Sequence, residues 1–171
     1  MKSKGFSLVE LIIVIAIMAI LVGIMAPMLI RYIEKTNVSA DVQFCDSVRE
    51  AVNIARSNID NRNDADSAIQ IDYLESGQPF SISYYTNQTL FTDEVSEIVG
   101  FNVIGDGTNG AEVCRGYMKS RVAKNSGVLM LQMDGNNLYV WIDNSDFKGG
   151  DSVNTCSSYA DVVTSGVIYS R

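Results

Sequence analysis

Residues 11–30 are twenty consecutive positions without a charged side chain, nearly all of them Leu, Ile, Val, Met or Ala. As a helix rising 1.5 Å per residue this run is about 30 Å long, the thickness of a bilayer's hydrocarbon core. It can therefore span a membrane. Lys2 and Lys4 precede it and Arg31 and Lys35 follow it, so the distribution of flanking cations orients the segment only weakly. An ordinary secretory signal fits poorly, because its apolar region should be roughly 7 to 15 residues with a small-x-small cleavage site behind it. Here Ala26 is followed by Pro27 and the apolar run continues. Hydropathy alone leaves a plain single-pass anchor open.

Glu10 is the discriminating residue. A carboxylate at the bilayer centre costs about 2.5 to 3.5 kcal/mol, and ionisable groups in such segments usually meet a partner. Positions i+3 and i+4 from Glu10 are Ile13 and Val14, neither a cation. Its partner is therefore expected from outside its own helix, the other reading being that it snorkels to the interface near the helix start. Pro27 cannot donate to the Gly23 carbonyl and is expected to kink or loosen the helix there. Ala19 and Gly23 form a small-xxx-small pair suited to close helix contact, a pattern that also arises by chance in apolar segments.

The stretch Lys4-Gly5-Phe6-Ser7-Leu8-Val9-Glu10 resembles the cleavage and N-methylation motif of type IV prepilins. A short basic leader, Gly5 then Phe6, Glu10 as the fifth residue after the cut and an uninterrupted apolar helix are all present. The resemblance covers residues 4–31. It implies that a membrane peptidase cuts between Gly5 and Phe6 and methylates Phe6. It further implies that Glu10 pairs with the Phe6 ammonium of a neighbouring subunit in the fibre, with Phe6, Gly23 and Pro27 as further assembly positions. An unpaired buried carboxylate is penalised, and docking beside another chain's cation removes the penalty. The family has a proline at the position of Pro27; the glycine usual earlier corresponds to Ala19, and Gly23 is additional.

Composition narrows the alternatives. The chain has 171 residues and a net charge of −7, which loss of Lys2 and Lys4 brings to −9. Phosphate binding rests on clustered Lys and Arg, so a nucleic-acid partner is not expected. There is no histidine, which removes the commonest general base and metal ligand and argues against an enzyme. No cofactor or metal is expected. Residues 105–110 read as a Gly/Asp/Asn loop without the Lys-Ser or Lys-Thr of a phosphate-binding loop. Asp143, Ser145, Asp146 and Asp151 could supply oxygens to Ca²⁺, but Phe147 breaks the EF-hand spacing and a solvated loop is the plainer reading. Cys45, Cys114 and Cys156 are too widely spaced for a zinc set, and their odd number leaves at least one thiol outside any internal disulfide. Many pilins close a C-terminal loop with a disulfide, which by resemblance makes Cys114 and Cys156 the candidate pair; a reducing habitat would leave them as thiols.

Beyond Pro27 the pattern turns amphipathic. Val38, Val42, Cys45, Val48, Val52, Ala55 and Ile59 recur at spacings of three and four, with Asp41, Asp46, Arg49, Glu50 and Arg56 between them. The cluster at 58–61 supplies a stop, giving a mature helix of about 54 residues and about 80 Å. Short helices are expected over 66–74 and 92–99, the latter capped by Thr92 and ended at Gly100, and a strand over 80–85. Residues 128–133 and 138–142 read as a hairpin joined by 134–137, and 166–170 as a last strand. The expected fold is α+β, a pilin fold in which a long N-terminal helix packs on an antiparallel sheet of about four strands. Its segments are a leader (1–5), a transmembrane and fibre-core helix (6–30), an amphipathic half-helix (31–60), a connecting region (61–127) and a sheet with a C-terminal loop (128–171).

The resemblance implies a major pilin, stored in the membrane with its N-terminus cytoplasmic and its head outside, then assembled with identical subunits into an extracellular pilus. Adhesion, motility, biofilm formation and DNA uptake are functions of such fibres. The expected partners are prepilin peptidase, a pilus assembly ATPase and an inner-membrane platform. A minor pilin or a type II secretion pseudopilin is the alternative. Between Phe6 and Phe44 the only aromatic is Tyr32, too sparse a path for an electron-conducting fibre.

Overall fold

A computed structural model of the chain describes residues 7–82, 87–103, 110–143 and 168–169. It opens with α1, Leu8–Ser57, a helix in which Gly23 and Pro27 are the only poor helix formers of their kind. The helical assignment continues on both sides of Pro27. Two compact units divide the chain, Met1–Thr36 and Asn37–Arg171, and α1 contributes to both.

In the second unit, Asp41, Cys45, Val48, Ala51, Val52 and Ala55 of α1 are buried. The stripe differs from the one expected. Val38 and Val42 are only half-buried, Asp41 and Ala51 take core positions, and Ile59 is 69% exposed. Ile59 lies within the expected stop: α1 ends at Ser57, and Asn58 caps a new helix, α2 (Ile59–Asn63), whose phase is independent of the first. Asp64 then closes α2 and caps α3, Ala65–Glu75, by accepting from the Ser67 N–H at 2.9 Å.

The strand expected over 80–85 is β1, Phe80–Ser81 alone, and residues 83–86 lie outside the described set. Pro79 has no N–H to extend it backwards. Helix α4, Leu90–Val99, ends at Gly100 as expected, with φ +83°. Its cap is Thr89, not Thr92: the two threonines form a reciprocal capping box, Thr92 occupying the third helical position. Two further helices, α5 (Gly110–Tyr117) and α6 (Arg121–Ser126), form where only a connecting region was expected.

Strands β2 (Val128–Asp134) and β3 (Asn137–Asp143) pair antiparallel throughout their seven residues. Asp134 pairs with Asn137, so the loop shortens to Gly135-Asn136. A positive φ at Gly135 alone, +59°, is the pattern of a type II′ turn. With β4 (Ile168–Tyr169) the sheet order is β1-β2-β3-β4. Only two of these strands have any length, not four; the outer two are two-residue edges. Leu129, Leu131, Met133, Leu138, Val140 and Ile142 share one face and join the α1 stripe, Ile71, Leu74, Phe91 and Val95 in a single core. The long helix thus packs on a small antiparallel sheet, in an α+β fold. Met130 and Trp141, paired across the strands in the alternate phase, are buried as well.

Candidate functional site

Residues 8–33 of α1 carry Leu, Ile, Val and Met side chains that are exposed all round the helix, from Val14 at 47% to Met28 at 75%. Among the described residues α1 is the one helix long and apolar enough to cross a membrane. Exposure on this scale identifies a surface to be covered by lipid or protein, because single-chain soluble surfaces do not carry contiguous apolar areas of this size.

Glu10 stands at the start of this surface. Ser7 occupies the cap position, its carbonyl accepting from the Leu11 N–H at 3.3 Å, and the Glu10 Oε2 accepts from the Ser7 N–H at 2.9 Å. The residue that caps the helix therefore supplies one neutral hydrogen-bond donor. The expectation considered only cations on the following turn; a carboxylate at the third helical position reaches backwards to the cap. Ser-x-x-Glu is the sequence signature of that contact, and it was readable at 7–10. An N–H donor satisfies a lone pair without neutralising the charge, so a cationic partner for Glu10 has still to come from elsewhere. A Cβ on Gly23 would meet nothing within 4 Å, leaving that part of the helix open to close approach. Gly5 and Phe6 lie outside the described residues.

The second unit is fastened to α1 by polar contacts. Asp41, fully buried, accepts from the Lys119 N–H at 2.6 Å and the Ser120 N–H at 2.9 Å, one through each carboxylate oxygen. Sequence periodicity placed Asp41 on the polar face; its role depends on two backbone donors 78 and 79 residues away, which no local pattern announces. Below the helix end, Glu94 of α4 accepts from the Nδ2 of Asn58 and of Asn61, at 2.9 and 2.6 Å. Arg62 donates to the Arg56 carbonyl and bridges to Glu75 at 2.7 Å.

Cys45 is buried on the α1 stripe as expected of a small hydrophobe. Burial pushes its thiol pKa far up, with Asp41 and Asp46 adding to the effect. Cys114 of α5 is also buried and free, and burial pushes it from 9.0 up to about 12. Cys156, its expected disulfide partner, lies outside the described residues, as do residues 104–109 and Ser145, Asp146 and Asp151. An open groove lined by Asp46, Arg49, Glu50 and Glu94 contains the Asp46–Arg49 ion pair at 2.8 Å.

Residues 1–26 match the prokaryotic N-terminal methylation motif, the class III signal peptide of type IV pilin-like proteins. No curated protein and no solved structure matches the chain. The motif and the apolar helix together indicate a type IV pilin-like or pseudopilin protein, with processing by prepilin peptidase and use of the pilin assembly machinery.

Proposed function

We propose that the chain is the major structural subunit of a type IV pilus and not an enzyme. The methylation motif over residues 1–26, running directly into an exposed apolar helix, carries this reading. The leader is removed between Gly5 and Phe6 and Phe6 is methylated. The helix holds the subunit in the membrane with its head outside until an assembly ATPase and membrane platform deliver it to the fibre. There the apolar surface is covered by neighbouring copies, and the Glu10 carboxylate meets the Phe6 ammonium of an adjoining subunit. Such a fibre serves adhesion, motility or biofilm formation. A minor pilin or pseudopilin shares every step to this point and differs in abundance.

Mass spectrometry of material sheared from the cell surface tests the proposal. The expected result is an abundant peptide beginning at methylated Phe6. Intact protein retaining residues 1–5 in that material would overturn it, and a correctly processed but scarce species would favour the minor-subunit reading.

A further inference from the structure

Between Glu112 and Asp134 the chain has no acidic residue, yet it places Arg115, Lys119, Arg121 and Lys124 within ten positions. That is a concentrated positive segment in a chain of net charge −7. Lys119, Arg121 and Lys124 are exposed, and Arg115 is half-buried. The segment covers the end of α5, the connecting turn and α6, and its turn is bonded through the Lys119 and Ser120 N–H groups to Asp41. Asp41 is fully buried and occupies the backbone donors, while Lys119, Arg121 and Lys124 are exposed residues.

Asp41 is the first buried position of α1, and it follows Ile33, the last large exposed apolar residue before it, by eight residues. Eight residues of helix rise about 12 Å. A bilayer's headgroup region adds about 5 to 7 Å on each side of its hydrocarbon core, and charges act over a screening length of about 8 Å at physiological ionic strength. Along the chain, the anchoring point of the cationic segment therefore follows closely on the apolar stretch. Arg31 and Lys35, both exposed, lie on the intervening chain.

We propose that residues 115–124 form a docking surface for anionic phospholipid headgroups, holding the head against the membrane while the subunit is stored. The inference rests on the membrane-storage part of the function proposed above. Each Lys or Arg near an anionic surface adds to the attraction, and the acidic remainder of the head is repelled, so the contact selects one face. Salt weakens it, and transfer into a fibre releases it.

The test uses the full chain inserted in vesicles of phosphatidylcholine alone or with phosphatidylglycerol, read by flotation and by amide hydrogen exchange. Flotation with both vesicle types is expected. Exchange over 113–126 should slow about tenfold with the anionic lipid, and the difference should vanish in about 0.5 M salt and in the variant Lys119→Gln/Arg121→Gln/Lys124→Gln. Exchange over 90–99, an acidic helix, should not respond to lipid charge. Equal exchange over 113–126 in both vesicles, with the chain still floating, overturns the inference and leaves the membrane reading standing. Failure to float overturns both. Protection that follows subunit density assigns the surface to a second copy, and protection by added duplex DNA without any effect of lipid charge assigns it to nucleic acid; either result overturns the lipid proposal. The salt comparison on the unaltered chain decides the matter even where the triple variant misfolds.

Discussion

Glu10→Gln keeps an oxygen that can accept from the Ser7 N–H while removing the charge, so it separates capping from ion pairing. If pairing with a neighbour's ammonium directs assembly, the variant enters the membrane normally but its sheared fibre yield falls at least about tenfold, equivalent to a loss of about 1.4 kcal/mol. Yields equal to the unaltered protein would reduce Glu10 to a helix cap. Asp41→Ala strands the buried Ser120 N–H, at about 1 to 3 kcal/mol, and the part-buried Lys119 N–H, at less, so urea unfolding of the detergent-solubilised chain should show a loss of about 1 to 5 kcal/mol. Asp41→Asn retains one oxygen acceptor and should lose less; a reversed order would dismiss the clamp. The thiols add a pH dependence. Cys114 is raised from 9.0 to about 12 and Cys45 is raised further, so the folded state binds more protons than the unfolded chain above pH 9. Their contribution to stability is complete below pH 9 and is lost as pH climbs towards 12. Melting temperatures at pH 8 and 10 should differ less in Cys45→Ala/Cys114→Ala than in the unaltered chain. Cys45 as core was legible from its spacing, whereas Asp41 was not, because helical periodicity reports which neighbours a residue has on its own helix and nothing about donors arriving from another.

Two glycines at element ends separate two kinds of constraint. Gly100 ends α4 at φ +83° with open space around its Cβ position, so Gly100→Ala should cost about 1 to 2 kcal/mol through backbone conformation alone. Gly127 has an ordinary φ of −65°, but a Cβ would lie 2.5 Å from the Ala123 carbonyl oxygen and 2.8 Å from the Ile142 side chain. Gly127→Ala should therefore cost about 1 to 3 kcal/mol by overpacking between α6 and β3. Thermal melts followed by circular dichroism measure both, and a neutral Gly127→Ala would show that the α6–β3 junction yields easily. The end of α4 at Gly100 could be read from sequence, since one residue type carries the conformation. Its cap was misplaced by three residues because both Thr89 and Thr92 are good caps, and only the reciprocal bonds rank them. Helices α5 and α6 were missed for a related reason: six to eight residues contain too few turns for periodicity to register. The hairpin was legible because two short apolar runs and the Asp-Gly-Asn turn between them agree with each other.

Among the described residues, the apolar core of the second unit draws on α1 from Phe44 onward and on no residue of the apolar stretch that ends at Ile33. A chain beginning at Asn37 is thus expected to fold as a water-soluble protein with the melting profile of the full chain's head, whereas the full chain requires detergent. Aggregation of the shortened chain would mean that residues 8–36 contribute to the head's fold. The long apolar helix and the helix-on-sheet plan were visible in the sequence, as was the prepilin-like start; β1 was overestimated, because pairing at a sheet margin depends on backbone partners more than on apolar pattern. Because burial begins only after residue 36, the surroundings of the preceding stretch can be exchanged, oil for protein or protein for oil, without disturbing a single interior contact of the head. For the fibre subunit proposed above, such a plan would let one folded head serve in the bilayer and in the polymer with no refolding step between.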